Sequence, residues 1–380
     1  GSVGASGDLA PLSHLVLPLI GAGKVWVKGQ IQEAATVLAE HGLKALELGP
    51  KAGLALINGT QFIAAHAVRL IERMHHCLSR ADWIAALMLE GLLGSPMPFH
   101  KRLHETRPYT GNQHVAHRIW HLLLDSEIVE SHMGCDRVQD PYSLRCIPQV
   151  HGASRHSWLH LKELVEIELN SVTDNPVVFS ADFSISGGNF HGQPLAMPLD
   201  YACLALSELG NIADRRIYLS IDGRYAGIPK LLMADTGLNS GFMILQYTSA
   251  ALTSENKTHC FPASADSVTT SLGQEDHVSM GSISGRKALR VCENLEKIQA
   301  IELLCAAQAF DFRRPLRSTP PMEALHTSVR QVVSHAKSDR LFAEDIERVL
   351  ALFSQTSFNE IIYGYHDLLD SPHGHRFEVF

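Results

Sequence analysis

The sequence predicts a mainly α-helical protein built around a central bundle of long, roughly antiparallel helices. Three observations support this prediction. Apolar residues recur at spacings of three and four over most of the chain. Several of these stretches exceed the usual helix length and carry wide apolar faces, which is typical of helices that pack in a bundle. Clusters of glycine, proline, asparagine and aspartate separate the stretches and indicate turns.

The helical pattern is strongest in five long stretches and one shorter stretch. They cover residues 52–93, 115–124, 154–169, 195–221, 278–310 and 343–354. Alternating apolar residues between two turn signals predict a short β-hairpin over residues 177–185. The pattern weakens after the last helix. We therefore expect residues 1–355 to form the folded region and residues 356–380 to form a poorly ordered C-terminal tail.

Composition excludes several classes of protein. Hydrophobic residues make up 45% of the 380 residues and charged residues 19%, which is typical of a globular protein. The net charge of -8 comes from interspersed acids and bases, so that nucleic acid is not an expected partner. No run of 18 apolar residues predicts a membrane span. Seven cysteines, an odd number without a CxxC pair, indicate reduced thiols in the cytoplasm.

The first residues are small and precede an apolar helix that is expected to start near Leu9. By local rules alone the best interpretation is a helix entrance, with Asp8 or Ser6 as N-cap and Pro11 in the first turn. The chain opens at Gly1 with neither an initiator methionine nor a signal peptide, so that we expect an upstream part to precede it.

A chemical interpretation competes with this one. In Ala5-Ser6-Gly7 the amide nitrogen of Gly7 can attack the carbonyl carbon of Ala5, and loss of two waters leaves a 4-methylidene-imidazole-5-one (MIO) ring. Glycine lets the backbone nitrogen approach, alanine avoids crowding, and serine becomes the methylidene. The product is an electrophile that needs no external cofactor, and a following helix dipole favours negative charge on it.

This stretch and six further segments, in order, resemble the histidine and phenylalanine ammonia-lyase family. Seven matches in sequence are far more specific than one. The resemblance implies the ammonia-lyase/fumarase-like superfamily architecture and a carbon-nitrogen lyase activity. The six segments are Gly53-Leu-Ala-Leu-Ile-Asn-Gly-Thr-Gln61, Gln139-Asp-Pro-Tyr-Ser-Leu-Arg145, Ser171-Val-Thr-Asp-Asn-Pro176, Gly187-Gly-Asn-Phe-His-Gly192, Gly237-Leu-Asn-Ser-Gly-Phe-Met243 and Gln274-Glu-Asp-His-Val-Ser-Met280.

The resemblance also assigns substrate-binding roles. Arg145 is expected to grip the substrate carboxylate with two parallel hydrogen bonds, although a structural ion pair is the alternative. Tyr142 is expected to line the site and to be needed for activity, although simple packing is the alternative. Asn58 is expected to contact the substrate carboxylate or the prosthetic ring, although a buried asparagine that bridges backbone groups is the alternative. Phe190 would face the substrate ring. Gln139 and Gln274 resemble further polar lining residues.

Substrate choice is expected to depend on Glu275. Phenylalanine- and tyrosine-specific relatives tend to carry Asn-Gln-Asp at residues 274–276, and a carboxylate suits an imidazole N–H better than a benzene ring. Histidine, converted to urocanate and ammonia, is therefore the preferred substrate. Partial burial would raise the pKa of Glu275 and let it assist proton transfer. Without the flanking match, a surface glutamate would be the simpler interpretation.

Other features leave alternatives open. Relatives carry a further N-terminal portion that supplies a catalytic tyrosine base, so that an inactive truncated subunit is one alternative. A phenylalanine or tyrosine ammonia-lyase or aminomutase is another, because Leu272-Gly273 and Gln193 depart from histidine-specific relatives. The resemblance implies a homotetramer whose active sites each draw residues from three chains. No metal site is expected, since His100 and His104 lack the HExxH arrangement and an evident third ligand.

Overall fold

A computed structural model describes residues 2–365 and 370–379 of the chain. These residues form a mainly α-helical structure, which confirms the predicted fold class. The long helices are α4 (Gln61–Gly91), α9 (Ile147–Leu169), α10 (Gln193–Ile221), α11 (Met243–His259) and α12 (Gly281–Asp311). The shorter ones are α1 (Leu9–Val16), α2 (Ala34–Glu40), α3 (Ala52–Ile57), α5 (Lys101–Glu105), α6 (Thr110–Leu123), α7 (Glu127–Glu130), α8 (Tyr142–Arg145), α13 (Pro320–Val332), α14 (Phe342–Phe353), α15 (Thr356–Gly364) and α16 (Gly374–Phe377).

The predicted helix over residues 52–93 is two helices. The break between α3 and α4 falls at Asn58-Gly59-Thr60, where Gly59 has a φ of 139°. A residue with a side chain rarely adopts this φ, so that the glycine permits the turn. The apolar periodicity continues across the break, which explains why the sequence pattern did not reveal it.

Two antiparallel hairpins complete the secondary structure. The predicted hairpin is confirmed as β3 (Val177–Ser180) paired with β4 (Phe183–Ile185). A second hairpin, β1 (Lys24–Val27) with β2 (Gln30–Glu33), was not predicted. Two of its apolar side chains are exposed, Trp26 at 73% and Ile31 at 59%, while Val25 and Val27 are half-buried.

The chain divides into two compact units. The first, unit 1, contains residues 1–71, 160–201 and 261–289. Its interior is apolar and includes Leu12, Ile63, Leu70, Leu199 and Met280. This unit holds the Ala5-Ser6-Gly7 tripeptide, both hairpins and the first turns of α4, α10 and α12.

The second, unit 2, contains residues 72–159, 202–260 and 290–380 and has a helical bundle as its core. The bundle mixes helix directions. On α4 and α12, Cys77 faces Cys292 and Gly91 faces Ala309, so that these helices run parallel. Between α10 and α12, Gly210 approaches Ile298 and Arg216 pairs with Glu302, which is again parallel.

Helix α9 runs antiparallel to α4 within unit 2. The Arg155 guanidinium donates to the Leu78 carbonyl and to the Asp82 carboxylate, and His151 also pairs with Asp82. Residues later in α9 therefore meet residues earlier in α4. The antiparallel arrangement expected of the whole bundle holds for α9 but not for the pairings of α12 with α4 and α10.

The C-terminal segment differs from the poorly ordered tail expected over residues 356–380. Residues 356–364 form α15, with Phe358 and Ile362 buried, and Phe377 is buried as well. Glu378 accepts from His114 at 2.6 Å and pairs with Arg118 at 3.3 Å. Burial raises the pKa of Glu378, but the Arg118 charge and the His114 hydrogen bond hold it well below its usual range. Residues 366–369 and 380 lie outside the described part.

Two expectations from composition bear on the fold. No helix of the described residues is long and apolar enough to cross a membrane. No disulfide bond joins any of the seven cysteines, all of which lie among the described residues.

Candidate active site

The tripeptide is a tight bend whose two flanks are anchored by the backbone of unit 1. Gly4 N donates to the Ser279 carbonyl at 2.8 Å, and Asp8 N donates to the Gly59 carbonyl at 2.7 Å. Ser6 and Gly7 have φ values of 53° and 79°, in the left-handed region that disfavours side chains. A Cβ on Gly7 would lie 2.2 Å from the Gly59 oxygen. The close approach therefore demands glycine at position 7.

The carboxamide of Asn58 binds the tripeptide directly. Its Nδ2 donates to the Ser6 carbonyl at 2.6 Å, and its Oδ1 accepts from the backbone N–H of Asn175 at 2.6 Å. The N–H partner fixes which end of the amide is oxygen, so that the NH2 group must face Ser6. Asn58 is buried. Asn58 therefore contacts the tripeptide that is expected to form the MIO ring, and its role toward the ring or the substrate carboxylate stays a prediction.

Glu275 lies on the other side of Ser6. Its carboxylate accepts from Ser6 Oγ at 2.9 Å, from Thr270 Oγ1 at 2.9 Å and from Ser271 Oγ at 2.5 Å. The backbone N–H of Thr270 also donates to the Glu275 carbonyl at 2.9 Å, which closes a short loop over residues 270–275. The loop holds the carboxylate against the tripeptide. The alternative of an isolated surface glutamate does not describe this arrangement.

The expected rise in the pKa of Glu275 is wrong for this structure. The Ser271 hydroxyl lowers that pKa most, followed by the hydroxyls of Thr270 and Ser6, and burial opposes them only weakly. Hydrogen bonds to a carboxylate favour its charged form. Glu275 is therefore an anionic hydrogen-bond acceptor at neutral pH and not an acid poised to release a proton.

Asp8, one of the two residues expected to cap α1, occupies the N-cap position, but its side chain caps another helix. Asp8 Oδ2 accepts from Ile63 N at 2.9 Å, in the first turn of α4, and no hydrogen bond from its side chain reaches α1. Burial raises the pKa of Asp8 to about 6; the N–H groups of Ile63 and Phe62 oppose the rise, and the Glu168 charge adds to it. Sequence reasoning missed this group because its partner is more than fifty residues away.

The raised pKa of Asp8 predicts a pH-dependent stability. Because the folded pKa of about 6 exceeds the ordinary aspartate value of 3.8, Asp8 stabilises the fold fully only below pH 3.8, and the contribution is lost as the pH rises through 6. The variant Asp8→Asn keeps the acceptor without the charge. Denaturant titrations give the free energy of unfolding of the variant minus that of the parent. This difference should be about 1–2 kcal/mol larger at pH 8 than at pH 5. The same difference at both pH values would contradict this assignment.

Two further predicted residues of unit 1 lie in loops. Phe190 is half-buried in the loop that follows β4, where Asn175 Oδ1 accepts from Gly187 N at 2.7 Å. Gln274 is exposed beside Glu275. Among the described residues, no hydrogen bond joins the Gln274 side chain to the tripeptide. Their roles as lining residues therefore stay predictions.

The remaining predicted residues, Gln139, Tyr142 and Arg145, belong to unit 2. Arg145 Nε donates to the Asp140 carbonyl at 2.9 Å, and its guanidinium carbon lies 4.6 Å from the centre of the Tyr142 ring. Within residues 2–365 and 370–379, no carboxylate pairs with Arg145, so that the alternative of a structural ion pair finds no support there. The two terminal nitrogens stay available for a ligand carboxylate.

Arg145 and Gln139 line a cavity of about 550 Å³ in unit 2. Gln149, which sequence reasoning missed, lines the same cavity, and its Oε1 is buried without a hydrogen-bond partner among the described residues. Tyr142 is 70% exposed and lines a separate cavity of about 500 Å³. An exposed tyrosine stacked under an arginine is a surface suited to an aromatic or carboxylate group rather than to core packing.

Comparisons of the sequence with known proteins show the family to which the chain belongs. A model of the aromatic amino acid lyase family matches residues 1–331, and the chain belongs to this family. Its sequence is 49% identical to bovine histidine ammonia-lyase over 372 residues, which cover 96% of this chain and 56% of the relative. It is 48% identical to histidine ammonia-lyase of Natranaerobius thermophilus over 351 residues, which cover 92% and 69%. The chain thus spans little more than half the length of the bovine relative.

A comparison of the fold with solved structures agrees with this family. The crystal structure of histidine ammonia-lyase from Trypanosoma cruzi matches with a TM-score of 0.90 and 42% identity, covering 99% of this chain and 71% of that one. Tyrosine aminomutase from Streptomyces globisporus matches with a TM-score of 0.88 and 39% identity, covering 96% and 73%.

Proposed function

We propose that this chain forms the catalytic region of an enzyme that deaminates L-histidine to trans-urocanate and ammonia. One observation carries the proposal: the side chains of Asn58 and Glu275 converge on Ser6 from two separate segments of unit 1. A plain helix entrance needs neither contact. The similarity to histidine ammonia-lyases from a mammal, a bacterium and a trypanosome supports the same substrate.

The tripeptide fits the MIO group that the family resemblance implies. Gly7 has no room for a side chain, the backbone at Ser6 and Gly7 is already bent, and the flanks are anchored on both sides. When formed, the group supplies an electrophile to which the substrate amine can add, so that the amine becomes a leaving group. Ala5, Ser6 and Gly7 would all enter the ring.

Asn58 would stabilise charge on the Ser6 carbonyl oxygen. Its NH2 group is fixed in place by the second hydrogen bond to Asn175, so that the donor needs no rearrangement during the reaction. A preorganised donor of this kind is worth about 10²-fold or more in rate when the oxygen it faces gains negative charge.

Glu275 would select the substrate. An ionised carboxylate accepts a charge-assisted hydrogen bond from an imidazole N–H, whereas a benzene ring offers no such donor to it. The lowered pKa of Glu275 keeps it ionised at neutral pH. Its contact with Ser6 places it where the bound substrate would react.

The residues of unit 2 would bind the other parts of the substrate. Arg145 would hold the carboxylate through its terminal nitrogens, with Tyr142 and Gln139 beside it, while Phe190 and Gln274 of unit 1 would line the ring. We propose that these groups meet in a cytoplasmic homotetramer whose active sites combine residues of three chains. Exposure of Tyr142 in the single chain agrees with a role at a surface that another copy covers.

A substrate comparison on the full-length protein tests the proposal. With histidine, tyrosine and phenylalanine supplied separately, we expect ultraviolet absorbance of urocanate from histidine. The variant Glu275→Gln should lower kcat/KM for histidine by about 10- to 100-fold, because a neutral amide replaces a charged acceptor. Asp276→Asn changes the exposed neighbouring charge and is the matched control. An equal loss in both variants would contradict the role of Glu275.

A second candidate is a tyrosine- or phenylalanine-specific lyase or aminomutase. The structural similarity to tyrosine aminomutase favours it, as does the presence of Leu272-Gly273 beside Glu275. The same assay separates the candidates. Formation of coumarate, cinnamate or a β-amino acid without urocanate would favour this second candidate and contradict the first.

A further inference from the structure

Two buried thiols face each other in unit 2. Cys77 on α4 and Cys292 on α12 are each fully buried, with their Sγ atoms 4.0 Å apart. Arg73, Arg80 and Glu296 surround them, and we call these five residues the thiol cluster. No part of the proposed deamination uses them.

The charges of the thiol cluster favour one thiolate. Arg73 binds the Glu296 carboxylate through two nitrogens, at 3.2 Å and 2.7 Å. Arg80 Nη2 lies 3.3 Å from Cys77 Sγ and 3.8 Å from Glu296. Arg73 also lies 3.6 Å from Glu293, so that Arg80 is the cation that faces the Cys77 sulfur directly. A thiolate on Cys77 would be stabilised by Arg80, and the Cys292 S–H would donate to it.

The same contacts shift the pKa values of the two thiols in opposite directions. The hydrogen bond from Cys292 lowers the pKa of Cys77 most; burial opposes it and Arg80 assists it. The same contact raises the pKa of Cys292, and burial adds to the rise. One sulfur thus becomes the nucleophile and the other remains the proton donor.

A metal ion is the competing occupant, because Cys77, Cys292 and Glu296 bring two sulfurs and a carboxylate within ligand distance of one another. Two features oppose it. The two guanidinium groups repel a divalent cation, and the Glu296 oxygens already bind Arg73. The cluster therefore suits an anionic sulfur better than a cation.

We propose that Cys77 and Cys292 are a redox modification site at which a small peroxide converts the two thiols into a disulfide between α4 and α12. The Cys77 thiolate attacks a peroxide oxygen, the O–O bond breaks, and the departing hydroxide takes a proton from solvent to become water. The Cys292 sulfur then attacks the sulfenic sulfur of Cys77, the S–O bond breaks, and the departing hydroxide takes the Cys292 proton. The two thiols together lose two electrons, one from each sulfur, and hydrogen peroxide is reduced to two waters.

Disulfide formation requires the sulfurs to close from 4.0 Å to about 2.05 Å, and the two cysteines lie on helices that pack side by side. The polar side of the thiol cluster reaches solvent, since the side chains of Arg73 and Glu296 are 18% and 24% exposed. Because both sulfurs are fully buried, hydrogen peroxide, which is close to water in size, would approach them from this polar side.

Thiol mapping on the unmodified protein tests the proposal without any variant. The protein is treated with hydrogen peroxide, quenched with catalase, denatured and alkylated, and its peptides are analysed by mass spectrometry. We expect a peptide pair joined through Cys77 and Cys292, and a mass lower by two hydrogens, reversed by dithiothreitol. Cys77 and Cys292 that both remain alkylatable at a dose that oxidises the exposed Cys135 would overturn the proposal.

Two variants and one metal measurement sharpen the result. Arg80→Gln should slow disulfide formation about tenfold at neutral pH, because the thiolate fraction falls, with a smaller difference at high pH. The variant Cys135→Ser is the matched control and should leave the rate unchanged. A native mass spectrum with zinc retained at the pair, and oxidation only after chelation, would overturn the proposal in favour of a metal site.

Discussion

Replacing Ser6 by alanine is expected to lower the rate of histidine turnover by about 10⁴-fold or more, while the protein keeps its helical content. Alanine cannot lose a hydroxyl, so that Ser6→Ala removes the source of the electrophile. The structural cost should be small. The Ser6 hydroxyl makes one partly buried hydrogen bond, to Glu275, and loss of such a bond costs about 1 kcal/mol. Product absorbance and far-ultraviolet circular dichroism measure the two effects.

Ser13→Ala is the matched control for this experiment. Ser13 lies on α1 of the same unit and donates only to the Leu9 carbonyl of its own helix. Its replacement should leave turnover within about twofold of the parent, as expected of a substitution outside the site. If Ser6→Ala retained as much activity as Ser13→Ala, the tripeptide would be a helix entrance and no more.

The second large effect is expected at Arg145. Replacement by methionine should lower kcat/KM by about 10²- to 10³-fold, since two charge-assisted hydrogen bonds to the substrate carboxylate are lost. Most of the loss should appear as a higher KM, because the carboxylate is bound in the ground state as well. Arg145→Lys should fall between the parent and the methionine variant, since an ammonium cannot bind both oxygens in parallel. Steady-state kinetics with histidine measure all three.

A structural role for Arg145 would give a different pattern. Its Nε donates to the Asp140 carbonyl, and if this contact were its main role, removal of Arg145 would loosen the loop before α8. Thermal unfolding monitors this, with the exposed Arg102→Met as the control variant. A large drop in Tm with unchanged KM in the folded fraction would show that Arg145 supports the fold and does not bind substrate.

The helices were predictable because their apolar faces repeat with the helical period over many residues. The hairpin of β3 and β4 was predictable from its flanking turns. The break at Asn58-Gly59-Thr60 was not, since apolar residues continue on both sides of it. Nor was the burial of α15 and Phe377, because a short segment can be held by distant partners that no local pattern contains.

The candidate site residues came from family resemblance and their roles stay predictions, while their interactions could not be predicted from sequence. Family resemblance identified Asn58 and Glu275, which the fold brings to Ser6 from segments more than fifty and more than two hundred residues away. The pKa of Glu275 depends on hydroxyls of its own loop, and the cap formed by Asp8 depends on α4. Such contacts arise from tertiary structure, which local sequence rules do not encode.

The intact mass of the purified protein tests the central claim most directly. If Ala5-Ser6-Gly7 forms the electrophile, the measured mass should lie two water molecules below the mass calculated from the sequence, and the loss should map to the peptide that contains Ser6. The Ser6→Ala variant should show its full calculated mass. A parent protein that deaminates histidine yet retains both waters at the tripeptide would contradict the account.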